Sequence, residues 1–475
     1  MKAAPNTNFK GSGWTLSIEA YQRARSTRDA RFDGKFFIGV LTTGIYCRPI
    51  CPAQSPHERN VRYFPTAAAA AEAGLRPCLR CRPETSPGTP AWMGTSATVS
   101  RALRLIGECA LDDAGVDELS DRLGLSSRQL RRLFQQHLGA APVTVAQTRR
   151  VHFAKRLMDE TALPLTEIAL ASGFRSIRQF NGVFRELYGR APRDLRKRAQ
   201  PETPGTYRFR LTYRPPYAWD ALLGFLAARA IPGVEQVRDG EYSRTFVLDA
   251  KPGRLAVTPS GGDGVMLRVE YPDASQLFRI VERVRRMFDL GADPAAIAQQ
   301  LEGDAMLRPI LRKLPGLRVP GAWDGFELTV RAILGQQVSV AAATTMSGRI
   351  ARVHGTPFGE ALLFPQAAVL ADVDLTKIGL TRQRASTIRD LAELVAIGEI
   401  RFDVDLETLR RKLLLVRGIG PWTVEYVAMR ALGEPDAFPD TDLALRKAVP
   451  ERLLEKSALW RPWRAYAAMY LWASL

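Results

Sequence analysis

The chain has 475 residues, of which 46% are hydrophobic and 24% charged, and its formal net charge is +18. These proportions exclude an intrinsically disordered chain, and the length predicts three or four domains of roughly 100–200 residues each. The sequence contains no apolar run near the ~18 residues that span a bilayer, and the opening MKAAPNTNFK lacks the apolar core of a secretory signal, so we expect a cytoplasmic protein without a membrane partner.

The positive charge is concentrated in the first part of the chain. Residues 1–200 hold 31 basic and 17 acidic side chains, an excess of 14, whereas the remaining residues contribute the other four. An excess of this size favours a polyanionic partner, and nucleic acid is the usual one. The alternative is a basic surface without a specialised partner.

Two stretches of linker composition divide the chain. PETSPGTPAWMG (83–94) is rich in Pro, Gly, Ser and Thr, and RKRAQPETPGT (196–206) joins a basic run to a Pro-containing one. With a softer boundary further on, we predict four segments: 1–86, 97–198, 206–290 and 291–475.

The first segment contains a cysteine cluster. Cys47-x3-Cys51 is followed after 26 residues by Cys78-x2-Cys81, and no cysteine follows Cys109. Two close pairs in Pro-containing turns can supply four thiolates to one tetrahedral Zn²⁺, and in an intracellular chain such spacing indicates a metal site rather than disulfides. From the residues alone, the simplest interpretation is one structural zinc ion.

The cysteines lie in a stretch, 36–84, that resembles the N-terminal domain of the Ada methylation-response family, most closely at TTGIYCRPICP and RPCLRCRP. The resemblance implies that Cys47 is both a zinc ligand and the acceptor of a methyl group from a DNA methylphosphotriester. The other three cysteines would then be ligands only. The chemistry is plausible, because a zinc-bound sulfur remains a nucleophilic thiolate at neutral pH and is consumed when it is methylated.

The second segment has two helix-turn-helix patterns. Apolar residues recur at helical spacing over 116–142 and 165–192, with Gly124 and Gly173 in the turns, and a long helix is predicted over 144–160. The second helix of such a unit enters the major groove. The side chains that we expect to read DNA are Arg128, Arg131, Arg178 and Gln179.

This segment is similar to the AraC-type regulator domain, most strongly at IALASGFRSIRQFNGVFRELYGRAPRDLRKR. The resemblance implies a sequence-specific, promoter-binding activator. The alternative from the residues alone is a helical bundle whose arginines lie on a solvated face.

The rest of the chain is predicted to form a small α+β unit and then a helical unit. Residues 206–290 alternate apolar and polar positions, which predicts strands, with helices at 218–230 and 275–289. Within 291–475, RGIGPWTVEYV places Gly418 and Gly420 before a helix, where backbone N–H groups can bind a DNA phosphate.

Four stretches between about 207 and 475 carry a resemblance to the AlkA group of helix-hairpin-helix DNA glycosylases. They are YRPPYAWDALLGFLAARAIPGVE, FELTVRAILGQQVSVAAA, RGIGPWTVEYVAMRALGEPDAFP and RPWRAYAAMYLW. The resemblance implies that an aspartate drives hydrolysis of the N-glycosidic bond of an alkylated base. Ungapped alignment gives this role to Asp442, with Asp440 as the alternative. Without the resemblance, either carboxylate would be interpreted as a helix N-cap or a surface group.

The same resemblance implies how a flipped base would be held. A purine alkylated at N3 or N7 is cationic and is attracted to aromatic faces. Gln337 would fill the gap that the flipped base leaves. Trp422 stands where bifunctional relatives have a Schiff-base lysine, so no lyase activity is expected, and carbonyls around 414–419 would hold a monovalent cation. The implied base pocket is Phe225, Trp422, Tyr426 and Trp472.

The predicted fold class is multidomain. It comprises a small zinc-bound α+β domain, an all-α AraC-type double helix-turn-helix, an α+β subdomain like that at the AlkA N-terminus, and an all-α helix-hairpin-helix domain. Because no Pro-Cys-His-Arg motif occurs and no cysteine follows Cys109, we expect no second methyl-acceptor domain.

The predicted function is a response to DNA alkylation that combines methyl sensing, promoter binding and base excision in one monomeric chain. Its partners would be double-stranded DNA and RNA polymerase. Two alternatives remain: a transcription regulator whose glycosylase-like part only binds DNA, and a glycosylase whose first half only adds DNA affinity.

Overall fold

The computed structural model describes residues 17–87, 97–108, 110–111, 115–196, 203–451 and 453–474. Cys109 and most of both predicted linkers, 88–94 and 197–202, lie outside the described residues. The chain forms two compact units, the first made of 1–215, 273–282 and 290–293 and the second of 216–272, 283–289 and 294–475. In the described part of the chain, no helix is both long and apolar enough to cross a membrane.

The first unit begins with a small sheet and continues with helices. Its strands are β1 (Phe37–Val40), β2 (Ile45–Cys47), β3 (Val61–Phe64), β4 (Arg76–Pro77) and β5 (Thr206–Thr212). Its helices are α1 (Ile18–Ser26), α2 (Ala67–Glu72), α3 (Ala97–Gly107), α4 (Val116–Arg122), α5 (Ser127–Leu138), α6 (Pro142–Glu160), α7 (Leu165–Ala171), α8 (Ile177–Tyr188) and α9 (Pro192–Leu195).

The small sheet brings the two cysteine pairs together. Its order is β3-β1-β2-β4, with β1 antiparallel to β2 and β3, and β2 parallel to β4. Strand β2 ends at Cys47, and β4 ends immediately before Cys78, whose N–H donates to the carbonyl oxygen of Tyr46 at 3.0 Å. Because the two strands are parallel, both cysteine turns emerge at the same edge of the sheet.

The two predicted helix-turn-helix units are present. In α4–α5 the turn contains Gly124 at φ +68°, and in α7–α8 it contains Gly173 at φ +77°. The N-cap side chains Ser126 and Ser176 accept hydrogen bonds from the N–H groups three residues on, at 3.2 and 3.1 Å, which starts α5 and α8 at fixed positions. Helix α6 joins the two helix-turn-helix units, in agreement with the long helix predicted over 144–160.

The second unit consists of an antiparallel sheet region and a helical region; α11 extends from the first unit into it. The strands β6 (Glu235–Arg238), β7 (Glu241–Leu248), β8 (Lys251–Ser260) and β9 (Gly264–Glu270) are successive antiparallel neighbours. The remaining elements are α10 (Trp219–Ala227), α11 (Leu277–Met287), α12 (Pro294–Leu301), α13 (Leu307–Lys313), α14 (Gly325–Leu334), α15 (Val340–His354), β10 (Thr356–Phe358), β11 (Ala361–Leu363), α16 (Ala367–Asp372), α17 (Arg382–Ala396), α18 (Leu406–Leu414), α19 (Pro421–Val427), α20 (Leu443–Ala448), α21 (Leu453–Ala458) and α22 (Arg464–Ala473).

Among its described residues, the segment 291–475 differs from the all-helical prediction in one place. Strands β10 and β11 form a short hairpin, with Thr356 opposite Leu363. Pro357 cannot continue α15, and Gly359 adopts φ +61° in the two-residue turn, so the local sequence favours a hairpin over another helical turn.

The helical region packs around one apolar core. Val330 and Ile333 on α14, Ile388 on α17, Leu413 on α18 and Val424 on α19 are buried together. The elements that contribute to this core flank two loops that carry predicted site residues, the turn between α14 and α15 and the hairpin between α18 and α19.

Candidate metal, DNA-binding and base-excision sites

The four cysteines predicted to bind zinc converge. One ligand atom from each of Cys47, Cys51, Cys78 and Cys81 lies within 4.8 Å of the others, and Cys78 and Cys81 are buried while Cys47 and Cys51 are partly exposed. Sulfurs bound at about 2.3 Å to one tetrahedral zinc ion would stand about 3.8 Å apart, so a small contraction accommodates the ion. The residues therefore fit zinc.

Ionisation of all four thiols is unfavourable without a cation beside them. A hydrogen bond from Cys47 lowers the pKa of Cys51 to about 7, whereas hydrogen bonds with Cys47 and the other cysteines raise the pKa of Cys81. Closely spaced like charges disfavour one another, and a divalent ion removes that penalty. The cluster is thus suited to hold a metal.

The buried Arg48 holds the turn of the second cysteine pair. Its backbone N–H donates to Cys81 Sγ at 3.4 Å, and its guanidinium donates to the Cys81 carbonyl at 3.1 Å and to Thr85 Oγ1 at 2.7 Å. The guanidinium also pairs with the buried Asp33, Nε to Oδ1 at 2.9 Å. These bonds orient the ligands and place a cation beside them.

The DNA-reading candidates lie on exposed faces of α5 and α8. Arg128, Arg131, Arg178 and Gln179 are all exposed. The Gln179 Oε1 atom accepts from the N–H of Arg175 at 3.1 Å, so its carboxamide oxygen closes the turn, and its amino group points to no partner in that turn and can donate to a base.

The carboxylate of Asp442 is held by four N–H donors. Its Oδ1 accepts from the N–H groups of Ala444 and Leu445, both at 3.0 Å, and from Trp472 Nε1 at 3.1 Å. Its Oδ2 accepts from Trp422 Nε1 at 2.7 Å. Asp442 is therefore the N-cap of α20 and also the hydrogen-bonding partner of two indoles.

Asp440, the alternative, has different surroundings. Its backbone carbonyl accepts from Arg446 Nε at 3.1 Å, and neither indole nitrogen donates to its carboxylate, because both donate to Asp442. The geometry favours Asp442 as the reactive carboxylate.

The four predicted pocket aromatics belong to one cluster. The rings of Trp422 and Tyr426 stack at 5.2 Å between centroids and 11° between planes, and the ring of Trp472 lies 6.3 Å from that of Tyr426. Phe225 joins them through Arg430, whose guanidinium lies 4.9 Å from the Phe225 ring and 5.3 Å from the Tyr426 ring.

Two arginines of this cluster were missed by the sequence reasoning. Arg229 lies 3.7 Å from the Phe225 ring, and Arg430 donates to the Tyr426 hydroxyl at 2.6 Å. Burial lowers the pKa of Arg229. Each arginine follows its aromatic partner by four residues, a spacing that was present in the sequence. The expectation that a cationic base is drawn to Phe225 needs correction, since guanidinium groups already cover that ring.

The hairpin glycines occupy the predicted place before a helix. Gly418 has φ +94°, and a Cβ atom there would stand 2.2 Å from Thr387 Oγ1, so only glycine fits. Gly420 is the N-cap of α19 and borders open space. Gln337, the predicted wedge, is exposed in the α14–α15 turn with φ +56°.

Four family profiles match the sequence and define its class. They are the metal binding domain of Ada at 20–84, a helix-turn-helix domain at 119–198, the AlkA N-terminal domain at 208–324 and the HhH-GPD superfamily of base excision DNA repair proteins at 330–457. The protein is a base-excision DNA glycosylase fused to a metal-binding helix-turn-helix regulator.

Some similar proteins match almost the whole chain, and others match only its second half. A probable bifunctional transcriptional activator/DNA repair enzyme AlkA of Mycobacterium tuberculosis is 43% identical over 479 residues, which cover 96% of each chain. The chain belongs to this family of bifunctional transcriptional activators and DNA repair enzymes. DNA-3-methyladenine glycosylase 2 of Escherichia coli is 32% identical over 277 residues, covering 56% of this chain and 96% of its own.

A solved structure supports the fold of the second half. The 3-methyladenine DNA glycosylase of Archaeoglobus fulgidus superposes with a TM-score of 0.50 over 55% of this chain and 96% of its own, at 22% identity. The likeness concerns the fold alone.

Proposed function

We propose that the chain hydrolyses the N-glycosidic bond of alkylated bases in double-stranded DNA, of the 3-methyladenine and 7-methylguanine type. The observation that carries the proposal is the Asp442 carboxylate, fixed by four N–H donors next to the stacked rings of Trp422 and Tyr426. A preorientated carboxylate of this kind stabilises the positive charge that develops on the sugar as the bond breaks.

The other residues of the site have supporting roles. The flipped base stacks among the rings of Trp422, Tyr426 and Trp472, while Gln337 fills the gap in the duplex. Backbone N–H groups at Gly418 and Gly420 bind a phosphate at the start of α19. Because Trp422 offers no amine for a Schiff base, the reaction is hydrolysis alone and the enzyme is monofunctional.

The zinc cluster would act as a single-turnover methyl acceptor. Zinc, when bound, keeps the cysteine sulfurs as thiolates at neutral pH. The Cys47 sulfur attacks the methyl carbon of a DNA methylphosphotriester, the S–C bond forms, and the C–O electron pair leaves with the phosphodiester. Support for Cys47 comes from its place at the end of β2 and its partial exposure, which the buried Cys78 and Cys81 lack.

The remaining proposals concern partners and organisation. We propose domain boundaries at 1–86, 97–198, 206–290 and 291–475. Arg128, Arg131, Arg178 and Gln179 read promoter DNA, RNA polymerase is a further partner, and the protein acts as a cytoplasmic monomer. A monovalent cation at 414–419 would use carbonyls other than those of Arg417 and Gly418, which accept from Thr387 Oγ1 at 2.9 Å and Gln336 Nε2 at 3.0 Å.

The test of the glycosylase proposal is release of 3-methyladenine from methylated duplex DNA. Asp442→Asn should lower the single-turnover rate about 100-fold or more, and Asp440→Asn should leave it within about threefold. Equal loss in both variants would contradict the role of Asp442. No release by the wild-type protein would favour a regulator whose second half only binds DNA.

The test of the sensor proposal is mass spectrometry of the zinc-loaded chain after exposure to DNA carrying methylphosphotriesters. One methyl group should be found on Cys47. If zinc stays bound and Cys47 gains no methyl group, the first half only adds DNA affinity. A methyl group on Cys51 would instead reassign the acceptor.

A further inference from the structure

The turn between α14 and α15 and the hairpin between α18 and α19 are joined directly. The side chain of Gln336, next to the exposed Gln337, donates from Nε2 to the carbonyl oxygen of Gly418 at 3.0 Å. The same nitrogen donates to Thr423 Oγ1 at 3.1 Å, in the first turns of α19. One carboxamide therefore spans 82 residues of sequence between two loops that face DNA in the proposed function.

Helix α17 holds the same two loops from a second side. The guanidinium of Arg384 donates to the backbone carbonyl of Gln336. Thr387, three residues on and on the same face of the helix, donates from Oγ1 to the carbonyl of Arg417 at 2.9 Å. The two loops and α17 thus form a closed circuit of hydrogen bonds.

The circuit constrains the residue that follows it. The backbone of Gln337 is held at φ +56°, a conformation that residues other than glycine rarely adopt without support from their surroundings. Ser339 then caps α15, accepting from the N–H of Ala342 at 3.2 Å. Because Gln336 is fixed on one side and Ser339 on the other, the turn presents Gln337 in one orientation.

We propose that Gln336 is a positioning residue for base flipping, which sets the place of the Gln337 wedge relative to the phosphate-binding hairpin. The inference rests on the proposed function. To flip a base, the phosphate-binding hairpin and the wedge must act on the same nucleotide at a fixed separation. A displacement of about 1 Å between groups that act together can lower the rate of the reaction about 100-fold. Gln336 supplies a rigid link of that kind without touching the base.

The experiment compares two DNA substrates and two variants. Gln336→Glu keeps the size of the side chain but removes the donor to Gly418. Single-turnover excision of 7-methylguanine is measured in a fully paired duplex and opposite a mismatched base, where less energy is needed for extrusion. We expect a loss of about tenfold or more on the paired substrate and of less than about threefold on the mismatched one. Gln337→Ala should give the same pattern.

The outcomes separate this inference from the proposed function. The positioning role would be overturned if Gln336→Glu lowered the excision rate equally on both substrates while its circular dichroism spectrum and Tm matched those of the wild-type protein. If Gln337→Ala shows the paired-substrate defect and Gln336→Glu does not, the wedge stands and the link fails. If Gln337→Ala changes neither rate, the wedge role itself is wrong. A wild-type protein without excision activity would refute the proposed function.

The fluorescence of 2-aminopurine placed opposite the lesion gives an independent readout of the flipping step. In the wild-type complex the signal should rise as the wedge disturbs stacking. In Gln336→Glu the rise should be smaller, because the wedge is no longer held at a fixed distance from the hairpin. An unchanged rise in Gln336→Glu would contradict the inference.

Discussion

The phenol oxygen of Tyr46 lies 2.9 Å from Nε2 of His152. Tyr46 is the residue before the zinc ligand Cys47 on β2, and His152 is in the middle of α6, the helix that joins the two helix-turn-helix units. At the two ends of the same helix, Glu72 Oε2 accepts from the N–H of Ala141 at 2.9 Å, and Arg82 pairs with Asp159 at 2.9 Å. The region that contains β1–β4 and the four cysteines, called the zinc module below, is therefore anchored along the length of α6.

The Tyr46–His152 contact predicts a pH dependence of stability in the first unit. Burial lowers the pKa of His152 to about 4, whereas an unfolded histidine takes up a proton near 6.5. Its contribution to the free energy of unfolding is therefore complete above pH 6.5 and is lost as the pH falls towards 4, by about 3 kcal/mol. Denaturant unfolding followed by far-UV circular dichroism between pH 7 and 4.5 measures this loss.

Two variants identify the source of that dependence. His152→Gln can keep a hydrogen bond to Tyr46 but does not titrate, so the free energy of unfolding should fall less between pH 7 and 4.5. Tyr46→Phe removes the hydrogen bond and retains the histidine, so it should be less stable at pH 7 and keep the pH slope. The same slope in His152→Gln as in the wild-type protein would contradict the prediction.

The indole of Trp422 should matter to catalysis as a hydrogen-bond donor. Trp422→Phe keeps a ring that can stack on Tyr426 but removes the 2.7 Å bond to Asp442 Oδ2. Hydrogen bonds to charged groups contribute about 1.5–3 kcal/mol, so the single-turnover excision rate should fall roughly 10- to 100-fold.

Trp472→Phe is the matched control for that variant. The Trp472 bond is longer, 3.1 Å, and ends on Oδ1, which keeps two backbone donors from Ala444 and Leu445. Its loss should therefore lower the excision rate less. A Trp422→Phe enzyme with the wild-type rate, or a larger effect of Trp472→Phe, would show that the indole bond to Oδ2 does not orient the carboxylate.

Zinc removal should unfold the zinc module but leave the helical core of the second unit folded. The core of the module consists of two small clusters of buried side chains, one around Phe37, Tyr46 and Phe64 and one around Phe36, Ile38 and Val61, too few to replace the metal. Hydrogen exchange after chelation should show loss of protection in β1–β4 and unchanged protection in α14 and α17.

The Cys109→Ser variant should still bind one zinc ion per chain, whereas Cys78→Ser should not. Protection of β1–β4 that survives chelation would contradict this prediction.

Most of the fold could be predicted from short-range patterns in the sequence. The cysteine spacing, the Ser126 and Ser176 caps and the turn glycines act within a few residues, so they could be predicted from neighbouring positions alone. Asp442 could be singled out only through the family resemblance, because its contacts come from indoles 20 and 30 residues away. The Gln336–Gly418 bond joins residues 82 apart, and no periodicity of the sequence encodes such a contact.

The two hairpin glycines should fail for different reasons when they are replaced by alanine. At Gly418, φ +94° and a Cβ 2.2 Å from Thr387 Oγ1 force Thr387 to release the Arg417 carbonyl, so Gly418→Ala should lower the free energy of unfolding by about 2 kcal/mol or more. At Gly420 a Cβ meets nothing within 4 Å, so Gly420→Ala should lose only the preference for glycine over alanine at an N-cap, less than about 1 kcal/mol. It should nevertheless weaken binding to abasic-site DNA, because the added methyl stands where we propose that a phosphate approaches α19. Thermal unfolding and fluorescence anisotropy measure the two effects. Wild-type DNA affinity in Gly420→Ala would mean that the phosphate binds elsewhere.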